Sequence, residues 1–120
     1  MTERFDGFTP EPLTVGPEAL EEAWNKSSPK LQDSLKIAKE RIQSFHKHQL
    51  PNDLFFEGIY GERLGRRWRP VQKAGIYIPG GRAAYPSTVL MNAIPAQVAG
   101  VEEILMTSPA GSDGQINSAV

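Results

Sequence analysis

A turn rich in glycine carries the clearest chemical signal in the sequence. Pro79–Gly81 separates an apolar segment from a helical pattern. The exposed N–H groups of a helix N-terminus, with flexible glycines beside them, form a natural binding site for an anion. Side chains that can line such a site are Tyr77, Arg82, Tyr85 and Ser87. The turn lacks the three spaced glycines of the dinucleotide fingerprint, so a simple tight turn without a ligand stays open as the alternative.

Side chains that bind metal ions or move protons are few and widely spaced. The sequence has no cysteine, which excludes thiolate zinc sites and disulfides, and it has two histidines. On a helix, His46 and His48 point about 200° apart and cannot bind one metal ion. We expect one imidazole bonded to a neighbouring carbonyl and the other exposed. Four carboxylates can be considered as an acid–base pair, namely Asp6, Asp53, Glu57 and Glu62. Their spacing does not support such a pair, so we expect solvated charges.

Four arginines lie close together around Trp68, namely Arg63, Arg66, Arg67 and Arg69. A basic run with an aromatic residue is typical of a nucleic-acid surface. The formal net charge is -1, however, so the chain as a whole attracts neither nucleic acid nor an anionic membrane. We therefore favour a solvated strand face with a partly buried Trp68, and we keep nucleic-acid binding as the weaker alternative.

Two helical patterns precede these groups and must position them. Gly16-Pro17 predicts the start of a first helix, whose inward side chains are Ala19, Leu20, Ala23 and Trp24. Ser28-Pro29 predicts an N-cap and the start of a second helix that reaches about Gln49. The second helix carries an apolar stripe at helical spacing, formed by Leu31, Leu35, Ala38, Ile42 and Phe45.

The glycine turn lies inside a predicted strand–helix–strand unit. Ala74–Ile78 and Glu103–Thr107 are apolar runs typical of buried strands. Between them, Pro86–Ala99 predicts a largely buried helix that is kinked at Pro95 and ends at Gly100. Such a unit joins two parallel strands through a right-handed crossover, so we expect a wider parallel sheet.

The remaining segments complete the predicted organisation. Asn52–Pro70 mixes aromatic residues with glycines and predicts a hairpin or extended arms. Gly114–Val120 predicts the opening of another helix, which suggests that the sequence is a truncated piece of a longer fold. A chain of 120 residues has room for one compact core. We divide it into an extended lead with helices (1–50) and the start of an α/β domain (51–120).

No segment indicates secretion or membrane insertion. The first residues contain acids and lack an apolar core, unlike a secretory signal. No stretch approaches the roughly 20 apolar residues of a membrane helix. We expect a soluble, cytoplasmic protein.

The region around the glycine turn resembles a known family. Residues 75–96 read GIYIPGGRAAYPSTVLMNAIPA and residues 99–109 read AGVEEILMTSP, and both are similar to the most recognisable block of histidinol dehydrogenases. Three upstream stretches resemble the same family in the same order: TERFDG at 2–7, RIQSFHKHQ at 41–49 and LGRRWRPVQKAG at 64–75. The resemblance therefore extends over essentially the whole chain.

The resemblance implies a fold and an activity. The implied fold is α/β, in which N-terminal helices precede a strand–helix–strand unit of an incomplete Rossmann-like parallel sheet with aldehyde-dehydrogenase-like architecture. The implied enzyme oxidises L-histidinol through histidinal to L-histidine, the last steps of histidine biosynthesis, with two NAD molecules and a zinc ion. It is a homodimer whose sites are completed across subunits, with no nucleic-acid or membrane partner.

The resemblance also implies which residues bind the cofactor. Tyr77 matches the position that contacts NAD, and Gly80 and Gly81 belong to the same motif. The family's Glu-His acid–base pair, its zinc ligands and its main substrate contacts belong to motifs that this sequence does not contain. We therefore expect no catalytic or metal-binding residue here, and no activity of the 120 residues alone. A non-catalytic binding or assembly module, or a relic that retains part of the fold, is the alternative.

Overall fold

Two helices begin the part of the chain that the structure describes. The structure is a computed structural model in which residues 14–80, 84–111 and 114–120 are described. Helix α1 spans Pro17–Lys26 and helix α2 spans Pro29–Lys47. Each starts with a proline, as predicted, because the N–H that proline lacks would be unpaired in the first turn. The predicted N-cap is confirmed, since the hydroxyl of Ser28 accepts a hydrogen bond from the Leu31 N–H at 3.3 Å.

Hydrogen bonds between α1 and α2 define the corner that joins them. The side-chain amide of Gln32 donates to the Trp24 carbonyl at 2.7 Å and to the Ser27 carbonyl at 3.4 Å. The Ser27 hydroxyl donates to the Ala23 carbonyl at 3.0 Å. These bonds add partners for carbonyls at and just beyond the end of α1, where helical hydrogen bonding stops.

The inward face predicted for α1 is wrong for most of its residues. Leu20 is 56% exposed and Trp24 is 39% exposed, Ala19 is exposed, and Ala23 is half-buried. Helical spacing places these side chains on one face but does not supply an element to cover it. The apolar stripe of α2 is better covered, because α2 packs against the next helix of the chain. The first four residues of the stripe are half-buried, whereas the last, Phe45, is 62% exposed.

An antiparallel hairpin follows, as predicted for the segment rich in aromatic residues and glycine. Strands β1 (Leu54–Glu57) and β2 (Arg63–Arg66) pair in a register that places Leu54 opposite Arg66 and Glu57 opposite Arg63. The Trp68 N–H donates to the Asp53 carboxylate at 2.7 Å and closes the open end of the hairpin. Asp53 therefore has a structural role.

The predicted strand–helix–strand unit is present. Strand β3 (Lys73–Tyr77), helix α3 (Pro86–Ala99) and strand β4 (Glu103–Thr107) follow in order, and β3 and β4 pair in parallel. Gly100 ends α3 with a φ of 88°, a left-handed conformation that favours glycine. At the start of the strands, the Lys73 ammonium and the Glu103 carboxylate lie 2.5 Å apart. The α/β class and the predicted order of elements are thus confirmed.

The core of this unit is small and one-sided. Among the described residues the buried hydrophobic side chains are those of Ile76, Ile78 and Ile94. Side chains alternate along β3, so Ile76 and Ile78 share the face that we infer α3 covers, since α3 contacts β3. The opposite face is open, with Tyr77 64% exposed and Leu105 59% exposed.

Two burial predictions are therefore wrong. Strand β4 is largely exposed, with Met106 at 44%, and α3 has a single buried residue, Ile94. Parallel strands are normally covered on both faces, and the described residues cover one. The apolar runs were interpreted correctly as strand and helix, but the elements that would bury them are not among the described residues.

The segment after β4 is also different from its prediction. The predicted helix start at Gly114–Val120 is wrong, and a bend and a turn occupy these residues. The Asn117 side chain accepts a hydrogen bond from the Ala119 N–H at 3.0 Å, and the Asn117 carbonyl accepts one from the Val120 N–H at 2.9 Å. Asparagine favours such turns because its side chain competes for backbone N–H groups.

The chain has an extended shape for its length. Its radius of gyration is 19.6 Å, whereas about 14 Å is typical of a compact domain of this size. Its accessible surface is 9903 Å², whereas about 6400 Å² is typical of a folded monomer of this mass. Large apolar side chains face solvent, among them those of Phe55, Ile59 and Val71. Among the described helices, none is long and apolar enough to cross a membrane.

The predicted division at residue 50 stays a prediction. Helix α2, from the first predicted part, packs against α3, from the second.

Candidate functional site

A cavity of about 360 Å³ lies where the two parallel strands end. We call it the strand-end crevice. It is lined by Pro79, Gly80, Ala84, Ser108, Pro109, Gly111, Gln115, Ile116, Asn117, Ser118 and Val120. In open α/β sheets, ligands bind in a crevice outside the carboxyl ends of the strands. The position of the cavity therefore makes it the candidate binding site.

Continued strand pairing brings the first two walls of the crevice together. Beyond the regular ladder, the Ile78 N–H donates to the Thr107 carbonyl at 2.8 Å. Ile78 is fully buried, which anchors the end of β3. The chain then leaves β3 through Pro79 and Gly80 and leaves β4 through Ser108 and Pro109, so these two exits lie side by side and both border the crevice.

The third wall comes from the end of the chain. The Gly111 N–H donates to the Gln115 carbonyl at 2.8 Å and folds the segment back towards the strands. Gly114 has a φ of 77°, which an L side chain rarely adopts. The turn at Asn117 then places Ser118 and Val120 on the crevice.

The chemistry of the crevice is that of binding. Its described lining residues include hydroxyl and amide side chains, from Ser108, Gln115, Asn117 and Ser118, together with backbone and apolar groups. None of these described lining residues has a side chain that titrates near neutral pH, so none is suited to general acid–base catalysis. The crevice can orient a ligand through hydrogen bonds, and proton transfer requires other groups.

The predicted cofactor residues occupy different places around this crevice. Gly80 lines it. Tyr77 is the last residue of β3 and lies on the open face of the strand pair, not among the lining residues. Gly81 and Arg82 lie outside the described residues. Tyr85 is the N-cap residue of α3 and is 42% exposed.

The lining residues that follow β4 were missed as part of the site. The signal for them was present, because Ser108-Pro109 and Gly111 directly follow the second predicted parallel strand. The carboxyl ends of neighbouring parallel strands lie at the same edge of a sheet, so the loop after β4 should have been considered together with the loop after β3.

Zinc does not fit the described residues. No group of three or more His, Asp or Glu side chains in the described ranges lies close enough together to hold a metal ion. His46 is half-buried with its ring centroid 5.4 Å from that of Phe45, and His48 is exposed. No catalytic step through zinc follows from these residues.

The arginine run stacks on aromatic rings of its own hairpin. The Arg66 guanidinium lies 5.2 Å from the Trp68 ring centroid, and the Arg67 guanidinium lies 5.5 Å from that of Phe55. Trp68 is 47% exposed, so the prediction of a partly buried ring is wrong. These cation–π contacts favour a structural role for the two arginines.

Comparison with known proteins places the whole chain in one family. The family model described as histidinol dehydrogenase matches residues 1–120. The chain is 75% identical over its full length to a histidinol dehydrogenase of Prochlorococcus marinus strain MIT 9313 and 60% identical to one of Parasynechococcus marenigrum strain WH8102. It covers 27% and 28% of these two relatives.

A solved structure agrees with this result. The crystal structure of histidinol dehydrogenase from Elizabethkingia anophelis matches 98% of the chain with a TM-score of 0.90 and 36% sequence identity. The match covers 27% of that protein. The chain thus spans about a quarter of the length of the proteins it resembles.

Proposed function

The chain belongs to the histidinol dehydrogenase family, and from this we propose that it forms the NAD-side portion of an enzyme that oxidises L-histidinol through histidinal to L-histidine. These are the last steps of histidine biosynthesis. In this proposal the chain contributes cofactor binding, and residues outside the chain contribute proton transfer, substrate contacts and zinc binding. The 120 residues alone are inactive.

The position of the strand-end crevice is the observation that carries the proposal. It lies at the carboxyl ends of two parallel strands, where dinucleotides bind in related architectures. Its volume of about 360 Å³ falls at the lower end of small-molecule sites and suits part of a dinucleotide. When bound, NAD would supply the hydride acceptor, and the two oxidation steps would each use one NAD molecule.

We assign three residues of this chain to the cofactor. Gly80 borders the crevice, so its backbone can approach a ligand closely. Tyr77 presents an exposed aromatic ring at the end of β3. Gly81 follows Gly80 in the same turn by sequence. The hydroxyl groups of Ser108 and Ser118 also line the crevice and can contact the cofactor.

The proposal extends to the assembly of the complete enzyme. We propose a cytoplasmic homodimer that requires zinc, with its metal ligands outside this chain. The open face of the β3–β4 pair and the exposed apolar residues of α1 and α2 supply surface for the rest of that assembly.

Grafting tests the proposed function. The matched segment of the Prochlorococcus marinus MIT 9313 relative is replaced by these 120 residues, which are 75% identical to it. We expect the purified grafted enzyme to produce NADH when histidinol, NAD and zinc are supplied, at a rate within about tenfold of the unmodified relative. The unmodified relative is the control. A grafted enzyme that unfolds as cooperatively as the control but produces no NADH contradicts the proposal.

A further inference from the structure

Gly80 and Pro109 lie in closer contact than any side chain at position 80 would allow. A Cβ atom added to Gly80 would lie 2.5 Å from Cγ and 3.2 Å from Cδ of Pro109. It would also lie 3.1 Å from the Pro109 carbonyl oxygen. A methyl group at position 80 would therefore require about 1 Å of separation between the two loops, a displacement large enough to disturb a ligand site.

Space, and not backbone conformation, explains the glycine at position 80. Its φ lies outside the left-handed range that favours glycine, in contrast to Gly100, whose φ is 88°. Alanine could adopt the backbone conformation of Gly80 if the Pro109 ring were absent. The proline ring in turn fixes its own φ, so the loop after β4 presents a rigid surface to Gly80.

We propose that Pro109 is a positioning residue for Gly80, which the proposed function assigns to NAD binding. Its ring packs against Gly80 and sets the separation of the loops after β3 and β4, and this separation determines the width of the strand-end crevice. Gly80 is then a glycine because Pro109 occupies the space of its side chain, and not because NAD does. This inference rests on the proposed function, since the crevice matters for activity only if NAD binds there.

A double-variant cycle in the grafted enzyme tests the proposal. We expect Gly80→Ala to raise the KM for NAD by about tenfold, with a smaller effect on kcat, because the crevice is widened before chemistry begins. Pro109→Ala removes Cγ and Cδ and should raise this KM about twofold. In Gly80→Ala/Pro109→Ala the ring contacts at 2.5 and 3.2 Å are gone and the 3.1 Å contact with the backbone carbonyl oxygen remains. The KM should therefore return to within about threefold of the unsubstituted grafted enzyme.

Gly16→Ala is the control at a glycine away from the crevice. A Cβ atom at Gly16, the residue before α1, would have no heavy atom within 4 Å. We expect this variant to leave the KM for NAD unchanged. Rescue by Pro109→Ala is the decisive result, because a glycine required for close approach of the ligand would not be rescued by a change in the protein loop opposite.

Thermal unfolding of the same proteins distinguishes failure of the proposed function from failure of the inference about Pro109. The midpoint of thermal unfolding should be lower in Gly80→Ala than in the unsubstituted grafted enzyme. In the double variant it should return towards the unsubstituted value, whether or not the enzyme is active. If the grafted enzyme folds but is inactive, the proposed function fails, and the midpoints still decide whether Pro109 packs on Gly80. Unchanged KM and midpoint in Gly80→Ala overturn the inference, as does a double variant that remains as impaired as Gly80→Ala.

Discussion

The 120-residue chain, purified alone, is expected to give no detectable oxidation of L-histidinol with NAD and zinc present. The described lining of the strand-end crevice has no side chain suited to proton transfer at neutral pH. The described residues also bring no three potential metal ligands together. Relative to the grafted enzyme, the loss of activity should therefore be complete within the sensitivity of an NADH absorbance assay.

The grafted enzyme at the same concentration is the positive control for that assay. Isolated chain treated with a metal chelator gives the background rate. Histidinol-dependent NADH formation above this background by the isolated chain would contradict our account of which part of the enzyme carries the chemistry.

The isolated chain is also expected to unfold without a single cooperative transition. Its accessible surface of 9903 Å² exceeds the value of about 6400 Å² typical of a folded monomer of its mass. The buried hydrophobic side chains among the described residues are three isoleucines, Ile76, Ile78 and Ile94. So small a core contributes little against the conformational entropy of the chain. Circular dichroism should show a broad melt, and a hydrophobic dye should bind before heating.

The grafted enzyme is again the matched control, and it should melt sharply and bind little dye. A sharp, single melting transition of the isolated monomer, with helix and tertiary signals lost together, would show an independent domain. That result would mean that the exposed apolar faces of α1, α2 and the strand pair need no further protein to cover them.

Local signals predicted the elements well because their causes are local. The Ser28 hydroxyl caps α2 within one turn of the helix, and Gly100 ends α3 through its own backbone conformation. Pro86 starts α3 for the same kind of reason. The hairpin and the parallel strand pair followed from runs of apolar and aromatic residues bounded by glycine and proline.

Burial could not be predicted from the same patterns. Trp24 lies on a helical apolar face and Leu105 lies in an apolar run, and both patterns predict burial. Both residues are nevertheless exposed, because burial depends on a second element. The turn at Asn117 was also missed, since Gly114–Val120 was interpreted as a helix start. There the asparagine side chain competes with helical hydrogen bonds.

The sequence predicted one of the two strand-end loops that form the candidate site. The loop after β3 was found through its glycines, whereas the loop after β4 was not considered. The contact between Gly80 and Pro109 joins positions that are distant in sequence, and no local pattern around either residue reveals the other. The assignment of Tyr77, Gly80 and Gly81 to NAD stays a prediction.

The dissociation constant for NAD of the grafted enzyme, measured by calorimetry with Tyr77 intact and with Tyr77→Ala, tests the central claim most directly. Removing one aromatic ring from a stacking contact with a base costs on the order of tenfold or more in affinity. We expect that loss for Tyr77→Ala and little loss for Tyr77→Phe, which retains the ring. Tyr60→Ala is the control, since Tyr60 lies in the hairpin loop and is 89% exposed. Equal NAD affinity with Tyr77 and with Tyr77→Ala would contradict a cofactor site at the end of β3.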